Sequence, residues 1–254
     1  MFVEERQALI VQELHEKGRV KVKELSAKFN VTEDLIRKDL TALEEKGKLK
    51  KTYGGAVIVR ENVHREIASQ RKSLHLEEKQ KIAKLALSLI KPGSIVFLDI
   101  STVNIELANL IAKHDVKATI VTNMLDVVNI LVKSSVNVIF IGGELDYGRD
   151  GFVGTLALEM LRKFRFDISF IGVVGVDVHE NSVMTYMPND GVTKKEIVSL
   201  SKNSYMVCEA EKFNQLGNYK FAEISDFTGA ILDKKLSKDT AKVLKEYDIE
   251  LLLE

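Results

Sequence analysis

At 254 residues, 45% hydrophobic, with 37 basic and 37 acidic side chains, the chain is long enough for a small domain joined to a medium one and apolar enough to pack both. Its net charge of zero excludes a protein that coats nucleic acid by bulk charge, and no apolar run nears the ~20 residues of a membrane span. One cysteine, Cys208, excludes an internal disulfide, and five scattered histidines form no zinc cluster, so neither a metal nor another cofactor is expected.

Glu4, Glu5 and Arg6 come too early for a secretory leader, so a cytoplasmic location away from membranes is expected. Glu4 to Lys17 reads as a helix with Val3, Ile10, Val11 and Leu14 toward a core and Gly18 as its stop. Arg19-Val20-Lys21-Val22 suits a short strand. Residues 22–29 form a short helix, with Leu25 and Phe29 on one side, and Asn30-Val31 make a tight link. The next helix starts at Thr32 as N-cap, with Glu33 and Asp34 in its first turn, where the helix dipole favours acids. Ile36, Leu40 and Leu43 make its apolar stripe, and Gly47 ends it. Two short helices joined this way form a helix-turn-helix, the second being the recognition helix.

Lys48 to Tyr53, then Gly54-Gly55, then Ala56 to Val59 read as a hairpin, the wing of a winged helix over residues 1–58. Arg37, Lys38 and Thr41 are expected to face the major groove of double-stranded DNA, and Lys48, Lys50 and Lys51 its backbone. This segment holds twelve basic and ten acidic residues, so a local patch must bind, and useful affinity needs two half-sites. A homodimer or homotetramer is therefore expected.

Residues 59–78 are polar and read as a linker, and 79–254 as an α/β effector domain. Its first helix carries Ile82, Leu85, Ala86 and Leu89 and stops at Pro92-Gly93. Strands at 94–99, 118–122, 136–141, 167–172, 205–208 and 229–232 alternate with helices at 105–112, 125–132, 156–164 and 194–201. The fold class is thus α/β: an N-terminal winged helix-turn-helix and a larger domain with a mostly parallel sheet. Small or polar residues close four strands: Asp99 to Thr102, Thr122-Asn123, Gly142-Gly143 and Gly172 to Gly175. In an open α/β sheet such ends hold ligands, and these suit a phosphate and sugar hydroxyls.

The residues Leu35-Ile36-Arg37-Lys38-Asp39-Leu40, Leu43-Glu44, Gly47, Leu49, Lys51 and Tyr53-Gly54-Gly55-Ala56 resemble the DeoR family of bacterial transcriptional regulators. Leu35, Lys38, Lys51 and Tyr53 stand where that family has Thr, Arg, Arg and His. The resemblance adds Thr32, Leu35 and Tyr53 to the expected DNA face. It continues through Asp99, Ser101, Thr102, Thr122, Asn123, Gly142, Gly143, Gly154, Asp167, Phe170, Gly172, Gly175, Lys194, Lys212 and Phe213. That domain is similar to ribose-5-phosphate isomerase. The resemblance implies a repressor of a carbohydrate operon, released from its operator by a phosphorylated sugar, with Lys194 and Lys212 as counter-charges. Ser101, Val103, Asp146 and Glu209 depart from the family's Gly, Thr, Arg and Asp. Lys194 is expected in the first turn of its helix, a poor place for a cation unless an anion is bound. Two other readings remain: a sugar-phosphate isomerase using Asp177, Asp190, Lys194 and Lys212, with solvated charge preferred for the two acids, and a module whose winged helix binds protein.

Overall fold

The computed structural model describes residues 2–17, 19–46, 48–58 and 72–253. Gly18 and Gly47, expected as helix stops, lie outside these residues, as do positions 59–71 of the expected linker. The chain divides into two compact units, 1–62 and 63–254.

In the first unit, α1 (Val3–Lys17) is followed by β1 (Arg19–Lys21), α2 (Val22–Phe29), α3 (Glu33–Glu45), β2 (Leu49–Thr52) and β3 (Gly55–Ile58). Ile10, Leu14, Leu25, Ile36, Leu40 and Leu43 are buried together, because the i, i+3/i+4 spacing turns one face of each helix inward. Val3, expected in this core, is exposed at the first position of α1. Asn30 takes the left-handed conformation that ends α2, which an Asn tolerates, and Thr32 caps α3 by accepting from the Leu35 amide at 3.3 Å. The sheet order is β1-β3-β2, antiparallel throughout. Both glycines of the wing are required. Gly54 has φ +82°, and a Cβ on Gly55 would stand 2.0 Å from the Val20 carbonyl oxygen.

The second unit is built on seven strands: β4 (Ile95–Leu98), β5 (Thr119–Thr122), β6 (Asn137–Phe140), β9 (Ile168–Ile171), β12 (Ser204–Val207), β14 (Gly229–Leu232) and β15 (Glu250–Leu253). Their order is β15-β14-β12-β9-β4-β5-β6, and every pairing is parallel. Successive side chains point to opposite faces, so each strand feeds two cores. Val96, Leu98, Ile120 and Phe170 pack beneath α4 (Leu76–Ser88), α5 (Thr102–His114) and α6 (Leu125–Leu131). Phe97, Val121, Ile171 and Met206 pack beneath α7 (Thr155–Leu161) and α8 (Pro188–Ser199). Helix α4 starts at Leu76, inside the span read as linker.

Four features go beyond the expected alternation. A hairpin of β7 (Glu144–Leu145) and β8 (Phe152–Val153) stands between β6 and α7. A small antiparallel sheet, β10 (Gly175–Asp177), β11 (Ser182–Thr185) and β13 (Tyr219–Ala222), flanks α8. Helix α8 begins at Pro188, six residues before Lys194, and α9 (Lys238–Leu244) precedes β15. Among the described residues no helix is long and apolar enough to cross a membrane.

Candidate nucleic-acid face and effector site

On α3, the residues between the buried stripe positions form the outer face. Arg37 is exposed but held to its own helix, through Glu33 at 2.6 Å and Asp34 at 2.8 Å. Thr41 donates to the Arg37 carbonyl at 2.9 Å and accepts from Lys51 Nζ at 2.9 Å. The Lys51 amide donates to Glu44 Oε1 at 2.8 Å, so the wing's first strand is tied to α3. Lys38, Lys48 and Lys50 stand exposed; Leu35 is half-buried, Thr32 serves as the cap, and Tyr53 projects fully from the hairpin tip. Of the expected DNA residues, Arg37, Thr41 and Lys51 are brought together where α3 meets the wing, while Lys50, next to Lys51 on β2, points to the other face of the strand. Arg37 must leave two carboxylates to reach a base. Arg37→Ala is expected to weaken operator binding by roughly 1–3 kcal/mol, and Lys51→Ala to weaken all sequences alike and flatten the salt slope by about one unit. Operator titrations at several salt concentrations measure both, and unchanged binding by the Arg37 variant refutes its place in the groove.

Sequence reasoning missed what holds that face. Asp39 is buried, and its carboxylate accepts from Arg6 at 2.5 and 3.2 Å and from Gln7 at 3.3 Å. This pair locks α1 to α3. An Asp on the inner face of an amphipathic helix was the available signal.

In the second unit the chain moves outward across the sheet from β4 through β5 to β6, and then from β9 outward the other way through β12, β14 and β15, all strands staying parallel. The reversal falls between β4 and β9, and ligands of open α/β sheets bind at such a switch point, outside the carboxyl ends. Asp99, just past β4, is fully buried there. Its Oδ2 accepts from the Gly172 amide at the end of β9 (3.0 Å) and from Lys194 Nζ. Gly172 has room for no side chain, since a Cβ would stand 2.6 Å from the Ser101 Cβ. Lys194, from the second turn of α8, is also buried and lies 3.4 Å from Asp190, which accepts from Thr185 of β11 at 2.5 Å.

Burial pushes the Asp99 carboxyl up, to about 6, with Lys194 pulling it back down. Burial alone would lower the Lys194 ammonium, but Asp190 and Asp99 together raise it to about 12, so it stays charged. The expected first-turn placement of Lys194 is thus corrected: α8 starts earlier, and the lysine already has two carboxylate partners. Asp190 is likewise half-buried and bonded rather than a free surface charge. Asp177 accepts from the His179 and Glu180 amides in a turn.

The other expected residues are placed as follows. Ser101 caps α5 by accepting from the Val103 amide at 3.2 Å, and Thr102 opens that helix, half-buried. Thr122 spends its hydroxyl on the Leu98 carbonyl at 2.7 Å and accepts from the Met124 amide at 3.1 Å. Asn123 donates to the Phe152 carbonyl at 2.8 Å. Gly142 lies two residues past β6 with open space beside it. Gly143 and Gly154 sit against the β7–β8 hairpin, the latter at φ +90° before α7. Lys212 lies past β12, bonded to Gln215 at 2.9 Å.

Asn104, not anticipated, bridges the Asp99 carbonyl (2.8 Å) and the Phe170 carbonyl (2.9 Å), clamping β4 to β9 at the switch point. Three buried side-chain oxygens here, Asp99 Oδ1, Asn104 Oδ1 and Asn123 Oδ1, have no hydrogen-bond partner among the described residues. A cleft of about 310 Å³ opens at the opposite, amino edge beside Lys91, Asp167 and Lys202. Helices of this sheet end at that edge, and their carboxyl termini suit an anion poorly.

Residues 6–62 match the family described as the DeoR-like helix-turn-helix domain, and residues 74–234 the DeoR C terminal sensor domain. The chain belongs to the DeoR family. Over 98% of its length, and 93% of the relative's, it is 31% identical to a putative aga operon transcriptional repressor of Escherichia coli O157:H7. It is 30% identical to the HTH-type transcriptional repressor GlcR of Bacillus subtilis, over 100% of this chain and 97% of that one. A ribose 5-phosphate isomerase from Methanocaldococcus jannaschii is similar over 53% of this chain and 52% of its own, at 17% identity and a TM-score of 0.39.

As a DeoR-family member the protein is a DNA-binding transcriptional regulator and not an enzyme. In DeoR terms, the helix-turn-helix domain is the unit carrying α3 and the wing. The sensor domain carries the switch-point cluster, in which Asp99, Ser101, Gly172 and Lys194 converge while Lys212 bonds within its own turn.

Proposed function

We propose that this DeoR-family regulator is a repressor of a carbohydrate operon, and that it leaves its operator when a phosphorylated sugar occupies the switch-point site. The observation that carries the reading is the set of three buried oxygens without donors at the ends of β4 and β5. Leaving a buried acceptor unpaired costs about 1–3 kcal/mol each, and sugar hydroxyls are donors of the right kind. The first turn of α5 beside them presents a positive helix end to a phosphate, although Ser101 already takes the Val103 and Asn104 amides. Repression, rather than activation, follows the two relatives named above. In this reading the protein acts on DNA in the cytoplasm.

The second unit also serves self-association in this reading, because the modest charge of the α3 face calls for two half-sites, giving a dimer or tetramer. Two titrations test the proposal. Isothermal titration with phosphorylated and unphosphorylated forms of a panel of sugars is expected to give binding of one phosphorylated form alone. Added to a gel shift on DNA upstream of the protein's own operon, that compound is expected to release the protein. Equal binding of both forms, or operator affinity untouched by every sugar phosphate, refutes it.

A further inference from the structure

Helix α4 runs back to the start of β4, so its amino end lies at the carboxyl edge of the sheet, where the switch-point site is. The four residues before it, Lys72 to His75, are fastened to that edge at two points. Lys72 Nζ donates to Asp126 Oδ1 at 2.8 Å, in the first turn of α6 after β5. His75 Nε2 stands 4.0 Å from Glu211 Oε1, in the turn after β12. Between β5 and β12 lie β4 and β9, the two strands of the switch point. Helix α4 packs on α5, and α5 on α6, so α5 lies between α4 and the helix that Lys72 reaches.

We propose that Lys72–His75 is a strap whose seating on the carboxyl edge is coupled to an anion in the site, and that this coupling carries occupancy to the chain leading to the winged helix. The proposal rests on the effector reading above. Its physical basis is charge. The site holds two carboxylates, Asp99 and Asp190, against Lys194. Asp126 and Glu211 bracket it with two more, which would repel an incoming anion. The seated strap sets Lys72 against Asp126, and so favours the anion. By linkage the anion favours the seated strap to the same degree.

Hydrogen–deuterium exchange on the full chain, with inorganic phosphate as the probe and chloride balancing ionic strength, tests this. Phosphate is expected to slow exchange both in the first turn of α5 and at residues 72–76. Lys72→Gln, which leaves Asp126 unpaired, is expected to weaken phosphate binding roughly five-fold or more. Adding Asp126→Asn to it should recover the affinity while strap exchange stays unresponsive to phosphate. Protection of the α5 turn with an unresponsive wild-type strap overturns the strap and leaves the effector site standing. No response at either place overturns both. Wild-type phosphate affinity in Lys72→Gln overturns the electrostatic coupling.

Discussion

Lys194→Ala is expected to lower the stability of the sensor unit by about 3–5 kcal/mol, before any effect on ligand is read. The lysine is buried and its partner Asp99 is fully buried, so the substitution leaves a carboxylate in the interior with one amide donor, from Gly172. For a unit of this size that is a fall in Tm on the order of 10 °C, measurable by calorimetry on the full chain. The double variant Asp99→Asn/Lys194→Met removes both charges and should regain most of the loss, whereas the single variant should not. The pH sign follows from the raised ammonium. Because Lys194 is held at about 12 against an ordinary 10.5, its contribution is complete below pH 10.5 and is lost as pH climbs through 12. A stable Lys194→Ala protein would refute the pairing. A loss of ligand response by this variant therefore reports on folding as well as on the site, and Thr102 or Asn123 are cleaner places to perturb the ligand alone.

The second large effect is expected far from any DNA contact. Asp39→Ala should abolish operator binding by unfolding the winged helix. Its carboxylate receives three hydrogen bonds from Arg6 and Gln7, and both ends of the ion pair are about 4% exposed. Breaking it costs about 3 kcal/mol, the low end for a buried pair, since solvent is near in so thin a unit. A domain of this size has only a few kcal/mol in all. Far-ultraviolet circular dichroism of the full chain should lose the helical signal of one unit and keep the other. Asp39→Leu with Arg6→Met should restore helix, and with it DNA binding. Retained folding with lost binding in Asp39→Ala would instead make Asp39 a DNA-facing group.

Local structure was legible in the sequence where the determinants are local. The Thr32 cap, the Ile36–Leu40–Leu43 stripe and the Gly54-Gly55 turn define α3 and the wing without help from distant residues. The switch-point cluster was legible as residue types but not as pairs. Asp99 and Lys194 are 95 positions apart, and nothing in periodicity joins them. The start of α8 was missed because Pro188-Asn189-Asp190-Gly191 has turn composition. Pro is well placed at the first helical position, and Gly191 is present because a Cβ there would stand 2.3 Å from the Tyr219 ring. Strands β10, β11 and β13 are three or four residues long and pair across more than thirty positions between β11 and β13, too little signal for a window of sequence.

Strand β15 has a role that packing alone does not describe. It pairs along all of β14, and Glu250 accepts from the Tyr205 hydroxyl at 3.1 Å. Beneath it, Gly229-Ala230-Ile231-Leu232 is buried along its whole length. Without β15 that strand would be an open, uncharged, apolar edge, the template on which chains add to one another and aggregate. The four residues from Glu250 to Leu253 are therefore a guard on the sheet. An affinity tag or fusion placed against them risks insolubility with no change at either functional face.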